Sequence, residues 1–264
     1  MNRLMLKIGA MALAFTAGLF ALAPAGFAQD KDWKGFYVGG NVGGALGSSD
    51  ATTSVSDPTF SYYPDLVTQG DINTAGLQHL GPNGVTGGGQ IGYDFQHGHF
   101  LLGGEFDFGG MSLSNSKATT ATFTGYTYTF TVTQSMKTSW LMTARPRVGY
   151  AGKRVLVYGT AGLAATNLNY QETYVDTAGG GTGSTENGGV KKTQTGFAAG
   201  GGVEYKAGSH WSLKGEYLYA GFGSVKTTST NLTIIGGANF PLAVFTHAAN
   251  LHANVVRAGI NFRF

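Results

Sequence analysis

Residues 250–264, with the sequence NLHANVVRAGINFRF, alternate between two kinds of side chain. Counted back from the last residue, one set is apolar or small throughout: Phe264, Phe262, Ile260, Ala258 and Val256. The other set is polar, charged or very small: Arg263, Asn261, Gly259 and Arg257. A period of two with one apolar face predicts a β-strand that lies between an apolar medium and a polar one.

The same kind of alternation recurs along the chain and predicts seven more strands. The predicted strands cover residues 35–47, 84–96, 99–113, 133–150, 154–171, 192–206, 211–228 and 250–264. The faces of the strand at 154–171 stay open, because its apolar residues fall on both parities. Alternating Thr and aromatic residues on either side of Gly125 predict that the third and fourth strands continue as a hairpin beyond the others.

The connections between these strands alternate regularly between long and short. Residues 48–83, 172–191 and 229–248 are predicted loops, the second of them mobile, whereas 97–98, 151–153 and 207–210 are tight turns. A soluble sandwich has no reason to sort its loops in this way, but an up-and-down membrane barrel has short turns on one side and long loops on the other. The sequence therefore predicts an all-β fold: an eight-stranded antiparallel up-and-down transmembrane β-barrel with short periplasmic turns and long extracellular loops.

The first 28 residues have the order of a secretory signal. Arg3 and Lys7 precede an apolar run at 8–22, which is shorter than the roughly 20 residues that span a bilayer. We expect residues 1–28 to be a signal peptide cleaved after Ala28, or alternatively after Ala25, and residues 29–264 to be the barrel domain. Removing two of the 17 basic residues leaves 15 − 14 = +1, so the basic isoelectric point is not a nucleic-acid footprint. Cysteine is absent, which excludes disulfides.

The polar parity of the strands carries equal numbers of acidic and basic residues. The acids are Asp94, Glu105, Asp107, Glu204 and Glu216, and the bases are Arg145, Arg147, Lys214, Arg257 and Arg263. A lipid-facing Arg or Lys at the bilayer midplane would cost about 2–4 kcal/mol, so these residues are predicted to face the lumen. Because eight strands leave room only for side chains, we expect a paired charge network that plugs the lumen. A small conducting pore is the alternative.

Two local features carry further expectations. Several aromatic residues lie near strand ends, and those on the outward parity suit the girdles of a membrane barrel, with plain core packing as the alternative; the residues near strand ends are Tyr37, Tyr93, Tyr150, Tyr205, Trp211, Tyr217 and Tyr219. Pro146 falls inside the fourth predicted strand and cannot donate a backbone hydrogen bond, so we expect a bulge or one missing ladder bond there.

Several segments together resemble a known family. They are WKGFYVGGNVGG, GGQIGYDFQ, GGEFDF, SWLMTARPRVGYA, LVYGTAGLA, WSLKGEYLYAGFG and NVVRAGINFRF. They are similar to the eight-stranded outer-membrane protein β-barrel family of Gram-negative bacteria, in particular its small porin-like or opacity-like alphaproteobacterial branch, itself similar to the OmpA membrane domain. Pro146 departs from the family pattern. No peptidoglycan-binding domain follows the barrel, so we expect no OmpA-type wall anchor.

The resemblance implies a monomeric protein of the cell outer membrane and its envelope, with the lipid bilayer as its main partner. It also implies insertion by the barrel assembly machinery, with Ile260, Phe262 and Phe264 as the C-terminal assembly signal. Members of the family include surface antigens and envelope-stabilising proteins, and some bind haem or act as adhesins. The expected function is therefore structural and surface-presenting.

The histidines do not predict catalysis or a metal site. His97, His99 and His210 lie at short turns, and His252 has no nearby Ser at triad-like spacing. His97 and His99 offer two ligands, which do not make a metal site. We expect no enzyme activity, no catalytic or metal-binding residues, and no cofactor. The remaining alternative is a loop-borne site for haem or a host surface, motivated by His79, His247, Phe60, Tyr62 and Tyr63.

Overall fold

The computed structural model describes residues 32–178 and 182–264. The expected signal peptide and its cleavage site lie outside the described residues. In chain order the elements are β1 (Gly35–Ser56), α1 (Leu66–Ala75), β2 (Gln78–Leu80), β3 (Asn83–His97), β4 (Phe100–Thr122), β5 (Thr129–Lys137), β6 (Trp140–Ala151), β7 (Val155–Asp176), β8 (Ser184–Lys206), β9 (Trp211–Ser229), β10 (Thr233–Ile234) and β11 (Val244–Arg263). Within this described part, no helix has the length and apolar character to cross a membrane.

Eight long strands pair antiparallel around a ring, and the last pairs with the first. The order is β1–β3–β4–β6–β7–β8–β9–β11, and β11 returns to β1 through the pairing of Tyr37 with Arg263. Every backbone group of a membrane-spanning strand must be paired within the protein, and this ring pairs each of the eight strands on both sides. The predicted all-β barrel is confirmed.

Outward apolar side chains form a band next to the short turns. On β1 the band runs from Phe36 to Leu46, on β4 it covers residues 100–108, and on β11 it ends at Ile260 and Phe264. This is about the 9–11 residues that a tilted strand needs to cross a bilayer. The band also settles which face of β7 is which. Val157 and Leu163 are exposed and face outward, whereas Tyr158 and Thr160 are buried and face inward. We take this band as the membrane-spanning part.

Several strands continue well beyond the band, and here two loop predictions are wrong. Strand β1 runs on to Ser56 and β8 begins at Ser184, so much of 48–83 and 172–191 is paired sheet. The hairpin around Gly125 is confirmed, with Thr122 opposite Thr129 at its end. Beyond the membrane the outward face meets water, so where the inward residues are polar as well, as around Glu172, the alternation that marks a strand fades.

A short helix lies in the gap that β3 leaves between β1 and β4. Helix α1 begins after Asp65, whose carboxylate accepts a hydrogen bond from the Thr68 amide at 2.8 Å. Its end is fixed to β1, because the Thr53 amide donates to the Gly76 carbonyl at 3.1 Å. The Gln78 side chain then donates to the Val132 carbonyl on β5 at 2.9 Å. The helix was missed in the sequence because its apolar residues show no clear face.

Pro146 interrupts a ladder without shifting its register. Strand β6 pairs with β7 at Ala144 and again at Arg147, with no pair at the two residues between. The carbonyl of Pro146 accepts a hydrogen bond from the Thr160 hydroxyl at 2.8 Å instead. The expected local loss of ladder pairing is therefore present, and no bulge accompanies it.

The barrel interior is built in layers, which β11 displays in order. From the periplasmic end its inward residues are Arg263 and Arg257, then an apolar run at 249–255, then His247, then Phe245. The apolar run belongs to a cluster with Leu218 and Met136, and Phe245 belongs to an outer aromatic cluster. Two polar levels thus alternate with two apolar ones along the barrel axis.

Candidate functional site in the barrel interior

All ten residues of the predicted charge network have buried side chains inside the barrel. They are Asp94, Glu105, Asp107, Arg145, Arg147, Glu204, Lys214, Glu216, Arg257 and Arg263. They come from six different strands, which the ring brings together although their positions span most of the chain. We call this set the charge network.

The periplasmic half of the charge network is centred on Arg147. Its guanidinium donates to Asp94, with Nε 2.8 Å from Oδ1, and to Glu204, with Nη1 2.7 Å from Oε1. Arg263 donates to the other Asp94 oxygen at 2.8 Å. The Arg147 guanidinium also lies 4.7 Å from the centre of the Tyr37 ring, a cation–π distance. Each carboxylate here therefore meets a basic partner.

The upper half shares its carboxylates among three basic side chains. Lys214 Nζ lies 2.6 Å from Glu105 Oε1, and Arg145 donates to the same oxygen at 2.8 Å. Arg257 reaches both Glu216, at 2.6 Å, and Asp107, at 3.0 Å. Bidentate and shared contacts of this kind are what offset the cost of removing charges from water.

Tyr37 is part of this interior and not of an outward girdle, so the core-packing alternative holds for Tyr37. Its hydroxyl donates to Glu105 Oε2 at 2.8 Å. The phenol lies across Gly92, where a Cβ would sit 2.2 Å from the Tyr37 hydroxyl oxygen, so only glycine fits. Tyr93, Tyr150 and Trp211 do face outward within the band.

A second polar level lies beyond the band, between the two apolar clusters. Glu172 on β7, Glu186 on β8 and His247 on β11 are all buried there, and we call them the acidic layer. His247 Nδ1 lies 3.6 Å from Glu172 Oε2, and Nε2 lies 3.5 Å from Glu186 Oε1. The ring also contacts two hydroxyls, Thr53 at 3.1 Å from Nδ1 and Ser229 at 2.9 Å from Nε2.

The acidic layer differs from the charge network in lacking fixed cations. Within the described residues, neither Glu172 oxygen has a hydrogen-bond partner, nor has Glu186 Oε2. Burial, and then the neighbouring Glu186 carboxylate, raise the pKa of Glu172 to about 10. Burial acts to raise the pKa of Glu186 as well, but the contacts with His247, Glu172 and Ser229 together outweigh it and lower that pKa.

The sequence did not predict the acidic layer. Glu172 and Glu186 fell in a segment that was interpreted as a mobile loop, and His247 was placed near an outer loop. The structure corrects the position of His247, which is fully buried inside β11. The signal that could have found it is the opposite glycine: a Cβ at Gly188 would lie 2.2 Å from His247 Nε2.

The outer end of the barrel is covered by aromatic side chains. Tyr63 packs edge-on against Tyr62, with ring centres 4.9 Å apart, and Phe245 and Tyr174 continue the cluster inward. The Tyr62 hydroxyl donates to Asp176 at 2.9 Å, which ties the 57–65 loop to β7. On the outside of this cover lies a cavity of about 370 Å³, lined by Tyr62, Tyr63, Phe123, Tyr126, Tyr128 and Phe240 among others.

The other residues proposed for a loop site are dispersed. His79 is exposed and pairs with Asp50, with Nδ1 2.9 Å from Oδ1. Phe60 is half exposed at a positive φ of 51° in the 57–65 loop. His247 lies below the aromatic cover, so these two histidines do not converge on one outer site.

The C-terminal residues face outward at the periplasmic rim. Phe264 contacts Phe36 with ring centres 5.7 Å apart, and Phe262 contacts Trp211 at 5.0 Å. Ile260 lies two residues further from the chain end on the same outward face and is also exposed. Strand β11 thus presents an apolar outward face along the band, while its backbone pairs with β1 and closes the ring.

Comparison with known proteins agrees with this architecture. The outer membrane protein beta-barrel domain matches residues 11–264. The chain is 31% identical over 234 residues to the 31 kDa outer-membrane immunogenic protein of Brucella melitensis biotype 1, covering 88% of this chain and 84% of the relative. The same figures hold for the protein of that name in Brucella suis biovar 1.

The solved structures found by comparison are more distant in sequence. OprG of Pseudomonas aeruginosa has a TM-score of 0.46 and 8% identity, covering 88% of this chain and 97% of OprG. Ail of Yersinia pestis has a TM-score of 0.29 and 13% identity, covering 84% of this chain and 99% of Ail. Because the domain match spans the described strands from end to end, the chain belongs to the outer membrane protein β-barrel family and is a protein of the bacterial outer membrane.

Proposed function

We propose that this protein is a structural, surface-presenting barrel whose lumen is closed. The observation that carries the proposal is the layered interior: the charge network, an apolar cluster, the acidic layer and an aromatic cover follow one another along the axis. The Brucella relative is described as an immunogenic outer-membrane protein, which supports presentation at the cell surface.

Two features favour closure over conduction. In the charge network the basic side chains bridge acids from opposite walls, as Arg257 does between Glu216 on β9 and Asp107 on β4. Such contacts fill the width of the lumen, which in an eight-stranded barrel is only wide enough for side chains. Above them, Leu218 and Leu251 belong to a fully buried apolar cluster, which offers an ion no polar partner.

Solute flux into liposomes tests closure. The refolded protein would be reconstituted with and without encapsulated osmolyte, and swelling would be followed with a small sugar outside. Heat-modifiable gel mobility would confirm that the barrel has folded in the same sample. We expect a folded mobility shift and swelling no faster than that of protein-free liposomes. Sugar-dependent swelling by the folded protein would establish the alternative, a small diffusion pore.

The cavity at the outer end supports a second candidate function, loop-mediated binding of a ligand with an apolar or aromatic body. Its lining is mostly aromatic, and the lining residues Tyr62, Tyr126 and Tyr128 each carry a hydroxyl. Haem is the ligand that the family resemblance suggests. A haem titration with a Soret shift that is lost in Tyr126→Ala would support this function, and an unchanged Soret band would contradict it. A host surface would be tested separately, by cell adhesion of the same variant.

We propose no enzymatic role. Ser229, His247 and Glu172 do stand in the order of an acyl-transfer triad, with 2.9 Å and 3.6 Å between successive contact atoms. However, the Ser229 hydroxyl also donates to Glu186, and the imidazole is fully buried beneath the aromatic cover. A substrate would have to pass that cover to reach the hydroxyl. Esterase and protease assays of the folded protein should give no activity above that of Ser229→Ala.

We further propose that the protein is a monomer inserted by the barrel assembly machinery through β11. The outward row Ile260, Phe262 and Phe264 at the periplasmic rim supports this. Phe264→Ala should lower the amount of heat-modifiable protein in outer-membrane fractions, whereas the outer-loop change Phe60→Ala should not. Equal amounts of both variants would contradict the proposed signal.

A further inference from the structure

The acidic layer brings together three metal-ligand side chains in a buried setting. One carboxylate oxygen each from Glu172 and Glu186 and one nitrogen from His247 lie within 4.8 Å of one another. The three residues come from β7, β8 and β11, of which β7 and β8 pair directly and β9 lies between β8 and β11. Their convergence therefore depends on the rigid part of the barrel and not on a surface loop.

The second observation is the state of the carboxylates. Glu172 is 2% exposed, and within the described residues neither of its oxygens has a hydrogen-bond partner. Glu186 Oε2 lacks a partner as well. Buried carboxylates are ordinarily paired with a cation, hydrogen-bonded, or bound to a metal. No Lys or Arg of the described chain forms an ion pair with either of these two, so His247 is the basic side chain that faces both carboxylates.

We propose that Glu172, Glu186 and His247 bind a divalent transition metal ion, of which Zn²⁺ is the natural probe. One imidazole and two carboxylates are donors that such ions accept. With both carboxylates ionised and the imidazole neutral, the layer carries two negative charges, which a divalent cation balances. The inference goes beyond the proposed structural function and does not depend on whether the lumen conducts.

The distances fit a site that closes on binding. Metal bonds of about 2.0–2.2 Å at tetrahedral angles place two ligands of one ion about 3.5 Å apart. The observed limit of 4.8 Å thus requires a movement of about 1.3 Å, and the Glu172 carboxylate has no hydrogen bond to lose. The two His247 contacts involve different ring nitrogens, 3.6 Å from Nδ1 to Glu172 and 3.5 Å from Nε2 to Glu186. The contact at the nitrogen that binds the ion is already at this spacing, and the other carboxylate makes the movement.

The surroundings supply the supporting contacts that metal-bound histidines use. Thr53 faces His247 Nδ1 and Ser229 faces Nε2, so whichever nitrogen binds the ion, the other keeps a hydroxyl partner. Gln134 donates to Thr53 at 3.0 Å and so orients that hydroxyl. The hydroxyl beside the ion could complete its coordination directly or hold a water.

The apolar clusters on both sides make the site slow to exchange, so binding is best tested during refolding. The protein would be unfolded in urea with a chelator, refolded in detergent with or without Zn²⁺, and passed through a chelating column. The retained zinc would be measured by plasma mass spectrometry in samples whose folding is checked by heat-modifiable mobility. We expect about one Zn²⁺ per folded chain.

Matched variants assign the binding to the acidic layer. Glu172→Gln and Glu186→Gln keep the side-chain shape and remove one ligand charge each, and both should lower zinc retention at least about tenfold. The control is Asp50→Asn, the same chemical change at the exposed His79–Asp50 contact, which should leave retention unchanged. Folded wild-type protein that retains no zinc would overturn the proposal, even if a variant fails to fold. Equal retention by wild type and both glutamine variants would also overturn it.

A spectroscopic readout separates coordination from adventitious retention. Refolding with Co²⁺ in place of Zn²⁺ should give visible absorption bands from a site of low coordination number in wild type and Asp50→Asn, and none in Glu186→Gln. Bands that persist in Glu186→Gln would contradict coordination by this layer. Haem binding or conductance would be unaffected as separate properties, so failure of this proposal is distinguishable from failure of the proposed function.

Discussion

The two polar levels of the barrel interior both contain buried charged residues, but they differ in how the charges are balanced. In the charge network five acids meet five bases, and Arg147 alone bridges Asp94 and Glu204. In the acidic layer two carboxylates share one histidine, and Glu172 has no hydrogen-bond partner among the described residues. In the first level the side chains balance each other's charge, whereas in the second a proton or a cation from outside is needed to balance the carboxylates.

This difference follows from position along the axis. The charge network lies within the membrane band, where an uncompensated charge has no water to reach and every acid needs a partner built into the chain. The acidic layer lies beyond the band, where the outer wall of the barrel meets water. An unbalanced carboxylate would be very costly at the membrane midplane. Beyond the band, a proton or ion taken up during folding can balance it.

The largest expected effect is the loss of one base from the charge network. Arg147→Met leaves Asp94 and Glu204 without their shared partner in the membrane interior, so the free energy of unfolding should fall by about 3–5 kcal/mol. Urea unfolding in lipid vesicles, followed by tryptophan fluorescence, measures this. Lys226→Met at an exposed position is the control and should change it by no more than about 0.5 kcal/mol. Equal effects of the two changes would mean that the network is not coupled as described.

The apolar cluster between the two levels is tested by a cavity. Leu251→Ala removes a fully buried side chain from between them and should cost at least about 2 kcal/mol. Leu77→Ala, at an exposed residue beyond α1, should cost less than about 0.5 kcal/mol. The same urea unfolding measures both. A cost for Leu251→Ala no larger than that of the control would show that this cluster is not tightly packed.

Removing a charged group should have opposite effects on stability in the two levels. In the acidic layer it should not lower the free energy of unfolding, and it should change how that free energy depends on pH. In metal-free buffer, burial and the neighbouring Glu186 carboxylate raise the folded-state pKa of Glu172 far above 4.5, the ordinary value at which the unfolded chain releases the proton. Between these values the folded state binds more protons, so its stability falls as pH rises, by at most about 1.4 kcal/mol per pH unit. Glu186 and His247 face the same group, and the lowered pKa of Glu186 reduces this slope where that carboxyl titrates.

Glu172→Gln removes that dependence. The variant should be at least as stable as wild type at pH 7 and should lose less stability between pH 6 and pH 8. Unfolding at three pH values, with Asp50→Asn as the matched surface change, measures the slopes. A wild-type slope equal to that of Glu172→Gln would contradict the picture of an uncompensated carboxylate.

The smallest effect belongs to the exposed His79–Asp50 pair. Although its 2.9 Å contact is as short as those inside, both side chains are largely in water. His79→Ala should change the free energy of unfolding by less than about 1 kcal/mol, and added salt should reduce even that. A larger change would show that the outer sheet extension is coupled to the barrel more strongly than its exposure suggests.

Much of this contrast was visible in the sequence within the band and almost none beyond it. Inside the membrane, lipid on one side and the lumen on the other force a strict alternation, so Arg145, Arg147 and Glu105 were placed on the inner face from parity alone. Beyond it, Gln171, Glu172 and Thr173 are all polar, and parity no longer separates the inside from the outside. Tyr37 shows a different limit: an aromatic residue suits both a girdle and an interior, and only its contact with Gly92 decides.

The central claim is that the layered interior closes the lumen, and planar-bilayer conductance of the refolded protein tests it most directly. Heat-modifiable mobility would be measured on the same preparation, so that only folded barrels are counted. The account predicts a clear mobility shift with no steady single-channel steps in wild type. Discrete and reproducible openings from the folded protein would contradict it, and would mean that the charge network is the gate or filter of a small pore.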